Sequence, residues 1–248
     1  MSLDQLRHDV ADGCRVLAAR GLAPGFLGHI SVRVDDSRLL VRCRGPHERG
    51  LAHTTADDVR LVDLDGLAGA PGELDGYAVP FELPLHTAVL RRRPDVDVVV
   101  HAHPRDVVVA DLAGLPILPV VGAYDIPGAV LAAGGVPVFP RAALISTVEL
   151  GAAVADTLAD RPVVVMRGHG LTSTGSTVAE AVLRAHAVAT LAELSLAIAA
   201  AGGELAPISQ EDLDALPDLG GALNLATAWR HELARLPAYP SRKEPEQS

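Results

Sequence analysis

Two spacings of apolar residues take turns along this chain. Residues 4–20 carry Leu6, Val10, Cys14 and Leu17 at intervals of three and four, which predicts an amphipathic helix stopped at Gly21. GHISVRV (28–34) then alternates, with Ile30, Val32 and Val34 on one face. A short Asp-Asp-Ser turn and LLVRCR (39–44) complete a predicted β-hairpin. TTADD (54–58) is turn and cap chemistry before a strand in VRLVDLDG (59–66). ELPLHTAVLRR (82–92) reads as a helix ended by Pro94, and VDVVVHAH (96–103) as a buried β-branched strand. A short helix is expected in RDVVVADLAG (105–114), an interrupted strand in LPILPVVGAYD (115–125) and a short strand in GGVPVFP (134–140). A helix over 147–159, strands in RPVVVMRG (161–168) and LTSTG (171–175), and a long Ala/Leu-rich helix over 177–201 follow. After Gly202-Gly203 come a Pro-punctuated stretch, a short helix near 220–235 and a polar tail, SRKEPEQS, expected to be disordered. No repeat or domain linker is visible. The mixture predicts a three-layer α/β/α domain over 1–203 with a C-terminal extension over 204–248.

Composition narrows the picture. A core must be built from Val, Leu and Ala, because the 248 residues hold only three Phe, three Tyr and one Trp. A net charge of −10 excludes a nucleic-acid partner, which needs a basic face. Cys14 and Cys43 lack metal-type spacing and read as free thiols of a reducing cytoplasm. The N-terminal stretch MSLDQLRHDV has no apolar signal segment. The apolar runs are strand-length, so no membrane partner is expected and the protein is read as cytoplasmic.

The chemistry starts at VVVHAHP (98–104). Residues two apart in a strand project to the same face, so His101 and His103 stand about 6–7 Å apart at the backbone and can reach one ion. Two solvent-facing histidines at a strand end would look the same. A second buried strand, VVVMRGHG, also runs out at a histidine, His169, set between glycines. Three neutral imidazoles bind divalent Zn, Fe, Mn or Co and leave positions open for substrate. Glu82, opening the helix before the His-x-His strand, is the natural companion carboxylate, as a ligand or as acid/base. It would also suit a helix N-terminus as a plain favourable charge. His86, one turn later, reads as a buttress or a packed histidine.

These pieces, GHISVRV, RLVDLDG (60–66), ELPLH (82–86), RPDVDVVVHAHP (93–104), RGHG (167–170) and STVAEA (176–181), resemble in order the class II aldolase/adducin family over roughly residues 5–200. The resemblance implies an α/β/α subunit with a central mixed, largely antiparallel sheet, commonly a homotetramer. It makes His101, His103 and His169 the metal ligands and Glu82 the acid/base or fourth ligand, with no organic cofactor.

The chain departs from the family's sugar-phosphate members where they hold phosphate. His29 replaces an Asn, Arg44 replaces a hydroxyl residue in RCRG (42–45), and Pro80-Phe81 replace two serines before Glu82. Guanidiniums suit planar carboxylates. Arg42 and Arg44 share a strand face and are expected to address one ligand, with Phe81 and Tyr77 flanking a flat ring. RGPHERGLAHTTADD (44–58) reads as an active-site loop. Together with GAYD (122–125), the pattern is similar to the family's branch that decarboxylates hydroxylated aromatic dicarboxylates. The expected function is therefore a divalent-metal-dependent carbon–carbon lyase, a decarboxylase of a hydroxylated aromatic or heteroaromatic acid. The ion serves as electron sink, and Glu82 as acid, with His29 or Tyr124 as alternatives. Competing expectations are an aldolase or epimerase acting on a carbonyl compound, an Fe(II) oxygenase of an aromatic acid, and a non-catalytic scaffold.

Overall fold

A computed structural model describes residues 2–217 and 221–237. The first helix, α1 (Leu3–Ala19), starts where Ser2 Oγ accepts from Gln5 N at 3.1 Å and buries Val10, Cys14 and Leu17. β1 (His29–Arg33) and β2 (Arg38–Arg42) form the expected hairpin, and β3 (Val59–Asp63) pairs with β2. A single turn of 3-10 helix at Ala56–Asp58 precedes β3, closed by a reciprocal cap between Thr55 and Asp58. Then come α2 (Leu83–Arg92), β4 (Val98–Ala102), α3 (Arg105–Leu112), α4 (Ile126–Ala132), β5 (Val138–Phe139) and α5 (Val148–Leu158). β6 (Val163–Met166), β7 (Gly170–Gly175), α6 (Val178–Ala200), α7 (Gln210–Ala215) and α8 (Gly221–Ala234) follow.

The strands make one sheet in the order β3-β2-β1-β4-β7-β6-β5, antiparallel except for β5 with β6. Helices α1, α3 and α6 pack on one face, and α2 and α5 on the other. The pleat sorts side chains between two cores. Ile30, Val32, Val98, Val100, Val163, Val165 and Leu171 join the first. Leu39, Val41, Val99, Val164 and Met166 join the second, with Leu85, Val89 and Leu90 of α2. This is the predicted three-layer α/β/α architecture with a mixed, mainly antiparallel sheet.

Three expectations need correction. Residues 115–125 form no strand. Pro116 and Pro119 each remove a ladder donor, and the segment runs irregularly into α4, whose first turn is capped by Asp125 Oδ1 accepting from Gly128 N at 3.1 Å. GGVPVFP contributes only the two residues of β5. The apolar runs are not all strand-length. Val178–Ala200 is long and apolar enough to cross a membrane by length and composition, with a mean hydropathy of 1.5. Half of that window is buried within the fold, against α1, α3, β4 and β7. Helices α4 and α7 went unforeseen, and the tail SRKEPEQS lies outside the described residues.

Candidate metal centre and active site

The strand register gathers the imidazoles. His29 of β1 lies directly opposite His101 of β4, so both point to the α2 side of the sheet, and His103 follows two residues on. His169 sits in the tight turn joining β6 to β7, its N–H donating to the Met166 carbonyl at 3.0 Å. That turn needs its glycines. Gly168 has φ +57°, and a Cβ on Gly170 would meet the Ala102 carbonyl oxygen at 2.3 Å. Asp111 of α3 pins the turn by accepting from Gly168 N at 2.8 Å. Glu82 is the residue before α2, and its Oε1 accepts from Ile145 N at 3.0 Å.

Glu82, His101, His103 and His169 converge, each offering one ligand atom, with all four atoms within 4.8 Å of one another. Glu82 Oε2 lies 3.2 Å from His101 Nε2, and Oε1 lies 3.5 Å from His169 Nε2. The ring centroids of His101, His103 and His169 form a triangle with sides of 4.5, 5.0 and 5.1 Å. His101 Nδ1 donates to the Leu171 carbonyl at 3.0 Å, which fixes the ring's orientation and turns Nε2 toward the carboxylate.

Electrostatics fit a cation. Burial first, and then the neighbouring His101 and His169, hold the His103 imidazole down at about 3, so it stays neutral. Burial and His101 lower His169 as well. Burial pushes the Glu82 carboxyl up, but the adjoining His101, the Ile145 N–H and His169 outweigh it and hold the group at about 2. The result is a carboxylate beside two imidazoles, His103 and His169, held below their usual range. His101 Nε2, His103 Nδ1 and His169 Nδ1 are buried without a hydrogen-bond partner, an arrangement that normally costs about 1–3 kcal/mol per group. Three imidazoles and a carboxylate are a donor set for a divalent transition ion, and the residues fit one.

The profile of the Class II Aldolase and Adducin N-terminal domain matches residues 8–196. This chain belongs to that family. The class II aldolase-family chain is 64% identical over 230 residues to a 3,4-dihydroxyphthalate decarboxylase of Terrabacter sp. (strain DBF63), covering 93% of this chain and 96% of the relative. It is 54% identical over 234 residues to a protein of the same description from Rhodococcus jostii (strain RHA1), covering 94% and 96%. In fold it is similar to an aldolase II superfamily protein from Pseudomonas syringae, with a TM-score of 0.78 and 21% identity over 94% of this chain and 92% of that one.

Around the cluster the family member carries a second histidine pair. His29 Nδ1 is 3.2 Å from His86 Nε2, and His86 Nδ1 is 2.8 Å from Ser31 Oγ. The His29 and His101 rings lie 5.3 Å apart. Burial, and after it the other histidines, keeps His29 well below the usual imidazole range. Burial and His101 hold His86 at about 3.

The other expected residues fare differently. Arg42 and Arg44 do not address one group. β2 ends at Arg42, whose buried guanidinium pairs with Glu48 on the Leu40 side of the sheet, beneath the 44–58 loop. Arg44 bridges to Ala78 instead, and its guanidinium lies 5.1 Å over the Phe26 ring with Nε buried and unpartnered. Tyr77 does not pair with Phe81. Its ring is covered by the guanidinium of Arg60 at 4.1 Å and packs on Gly45. Phe81 is 77% exposed beside Glu82, and Tyr124 is 76% exposed on the irregular segment before α4. Tyr124 is thus not among the residues gathered at the cluster. Sequence reasoning missed Ser31, Asp111 and the backbone groups of Ile145 and Leu171. Backbone donors leave no residue signature, and Asp111 looks like any polar position on α3.

Proposed function

We propose that the protein is a divalent-metal-dependent decarboxylase of a hydroxylated aromatic dicarboxylate, with 3,4-dihydroxyphthalate as the first substrate to test. The observation that carries this reading is the Glu82/His101/His103/His169 constellation, in a chain 64% identical to a protein described as a decarboxylase of that acid. Such a substrate has a carboxylate ortho to a ring hydroxyl.

His101, His103 and His169 would hold the ion, with Glu82 beside it. A bound divalent ion would supply Lewis-acid chemistry, an electron sink for carbon–carbon cleavage. Glu82, ionised at neutral pH, takes the proton of the ring hydroxyl and returns it to the ring carbon that carries the departing carboxylate. The carbon–carboxylate bond then breaks, CO2 leaves, its electron pair restores the aromatic ring, and the ring oxygen, left as a phenolate, takes up one proton from solvent. Each turnover replaces one carboxylate by one hydrogen. His29, beside His101, is the second group able to move this proton. Arg44, with its unpartnered Nε, binds the carboxylate that stays, and the exposed Phe81 ring faces the aromatic substrate.

The donor set accepts Mn, Zn, Co or Fe. A homotetramer is supported by the family resemblance and by large exposed apolar side chains at Phe81, Tyr124, Leu144 and Val148. A cytoplasmic setting is supported by two buried free thiols. The test is anaerobic CO2 release from 3,4-dihydroxyphthalate with each metal added in turn. Metal-dependent release that is lost in Glu82→Gln supports the reading. No release from metal-loaded protein refutes it and turns attention to aldol cleavage.

A further inference from the structure

Asp111 lies on the last turn of α3 and is 8% exposed. A buried carboxylate is costly unless its oxygens are hydrogen-bonded. Here Oδ2 accepts from the backbone N–H of Gly168 at 2.8 Å, a charge-assisted bond, while Arg167 Nε stands 3.6 Å from Oδ1. Both groups belong to the three residues, Arg167, Gly168 and His169, that join β6 to β7. The hairpin closes without this bond: Met166 and Gly170 are paired, and His169 N donates to the Met166 carbonyl at 3.0 Å. What Asp111 adds is a tether to an element outside the hairpin. Helix α3 starts two residues after His103, with Pro104 as its N-cap. It therefore continues from the second histidine at its start and grips the turn of the third near its end. Gly168 holds φ +57°, a glycine leaves such a conformation easily, and the bond at its N–H removes that freedom.

We propose that Asp111 is a positioning residue of the metal centre: by holding Gly168 N it fixes the turn from Arg167 to His169 and keeps the His169 imidazole in reach of an ion shared with His101 and His103. The His169 ring stands 5.0 Å from that of His101 and 5.1 Å from that of His103. Gly168 is its neighbour in the chain, so a shift of the turn carries the imidazole with it. Asp111 acts through the backbone and not on the substrate. The proposal rests on the metal-binding part of the proposed function and is independent of which acid is decarboxylated.

The experiment measures the affinity of metal-free protein for Co(II) by competition with a chromophoric chelator, and records the visible spectrum of the Co(II)-loaded protein. Asp111→Ala should weaken binding roughly 10- to 100-fold, the range for groups that orient a ligand, and shift the Co(II) bands. Asp111→Asn keeps an oxygen acceptor for Gly168 N and should restore most of the affinity and the spectrum. Arg167→Gln, which removes the ion pair and leaves the Gly168 bond, should bind as the unaltered protein does. A merely structural Asp111 would lower the melting temperature and leave affinity and spectrum unchanged in Asp111→Ala, and that result overturns the proposal. An Arg167→Gln protein as weak as Asp111→Ala overturns it too, because the ion pair would then be the tether. Should Asp111→Ala not fold, deuterium exchange of the Gly168 amide in the metal-free unaltered protein decides: protection is expected, and exchange at the rate of an open amide overturns the assignment. An unaltered protein that binds no ion removes the metal reading and this proposal together, whereas tight binding without CO2 release removes only the decarboxylase reading.

Discussion

On one face of β4, Val98, Val100 and Ala102 join the core under α1, α3 and α6; on the other, Val99 gives way to His101 and then to His103 beyond the strand. The same contrast runs through β1, where Ile30 and Val32 face the first core and His29 and Ser31 face α2. The apolar face is stabilised by burial at about 25 cal/mol per Å². On the other face, a carboxylate and several imidazoles are buried with three ring nitrogens unpartnered, and burial of that kind opposes folding. Thus a single strand supports the fold with alternate residues and carries destabilising groups with those between. The second set makes physical sense as a binding centre and not as part of the core.

If the two faces do separate work, breaking each should have a separate signature. The largest effect is expected at the centre. His101→Ala or His169→Ala should lose the bound ion and with it decarboxylation down to background, measured by elemental analysis and CO2 release. Retention of full metal in either variant would remove them from the ligand set.

Arg44→Leu comes next. Losing a charged hydrogen bond of about 1.5–3 kcal/mol should raise KM by about one to two powers of ten with metal content unchanged. A KM equal to that of the unaltered protein would leave the substrate carboxylate to another group.

Acid should then act through the chemical face. His86 and His103 are each held at about 3 against 6.5 for a free imidazole. Between those values the unfolded chain binds protons that the folded chain refuses. Their contribution to stability is whole above pH 6.5 and is lost as pH falls toward 3. Glu82, at about 2 against 4.5, adds a loss of the same sign below pH 4.5. The melting temperature of metal-free protein should therefore fall between pH 7 and pH 4, and a flat profile would contradict the burial of neutral imidazoles.

The smallest effect is expected on the apolar face. Ile30→Val should cost about 0.5–1.5 kcal/mol in denaturant unfolding and leave metal content untouched. Loss of metal there would show that the faces are coupled.

The helices and strands that position the centre were largely legible. The β-branched run before His101, the three-and-four spacing of α1 and the helix opening at Glu82 each match a periodicity that burial enforces. Residues 115–125 misled because apolar content suggested a strand while two prolines withheld the donors that a strand requires. At the site, His101 and His103 stood out by their spacing of two at a strand end and His169 by closing a second buried strand, while Glu82, which opens a helix, was singled out from an ordinary helix-terminus charge by the family resemblance. Arg42 could not be placed, since its ion pair with Glu48 depends on how the 44–58 loop closes and not on strand alternation. His86 was visible as a buttress, but its bonds to His29 and Ser31 arise only when β1 and α2 meet.

Stepwise reconstitution of the metal-free protein, following anaerobic CO2 release from 3,4-dihydroxyphthalate as Mn(II) is added, tests the central claim most directly. The account predicts no release without metal, then a rise that saturates near one ion per chain, as one four-donor site requires. Undiminished release from chelator-treated protein, or saturation of the site with no CO2 formed, would contradict it.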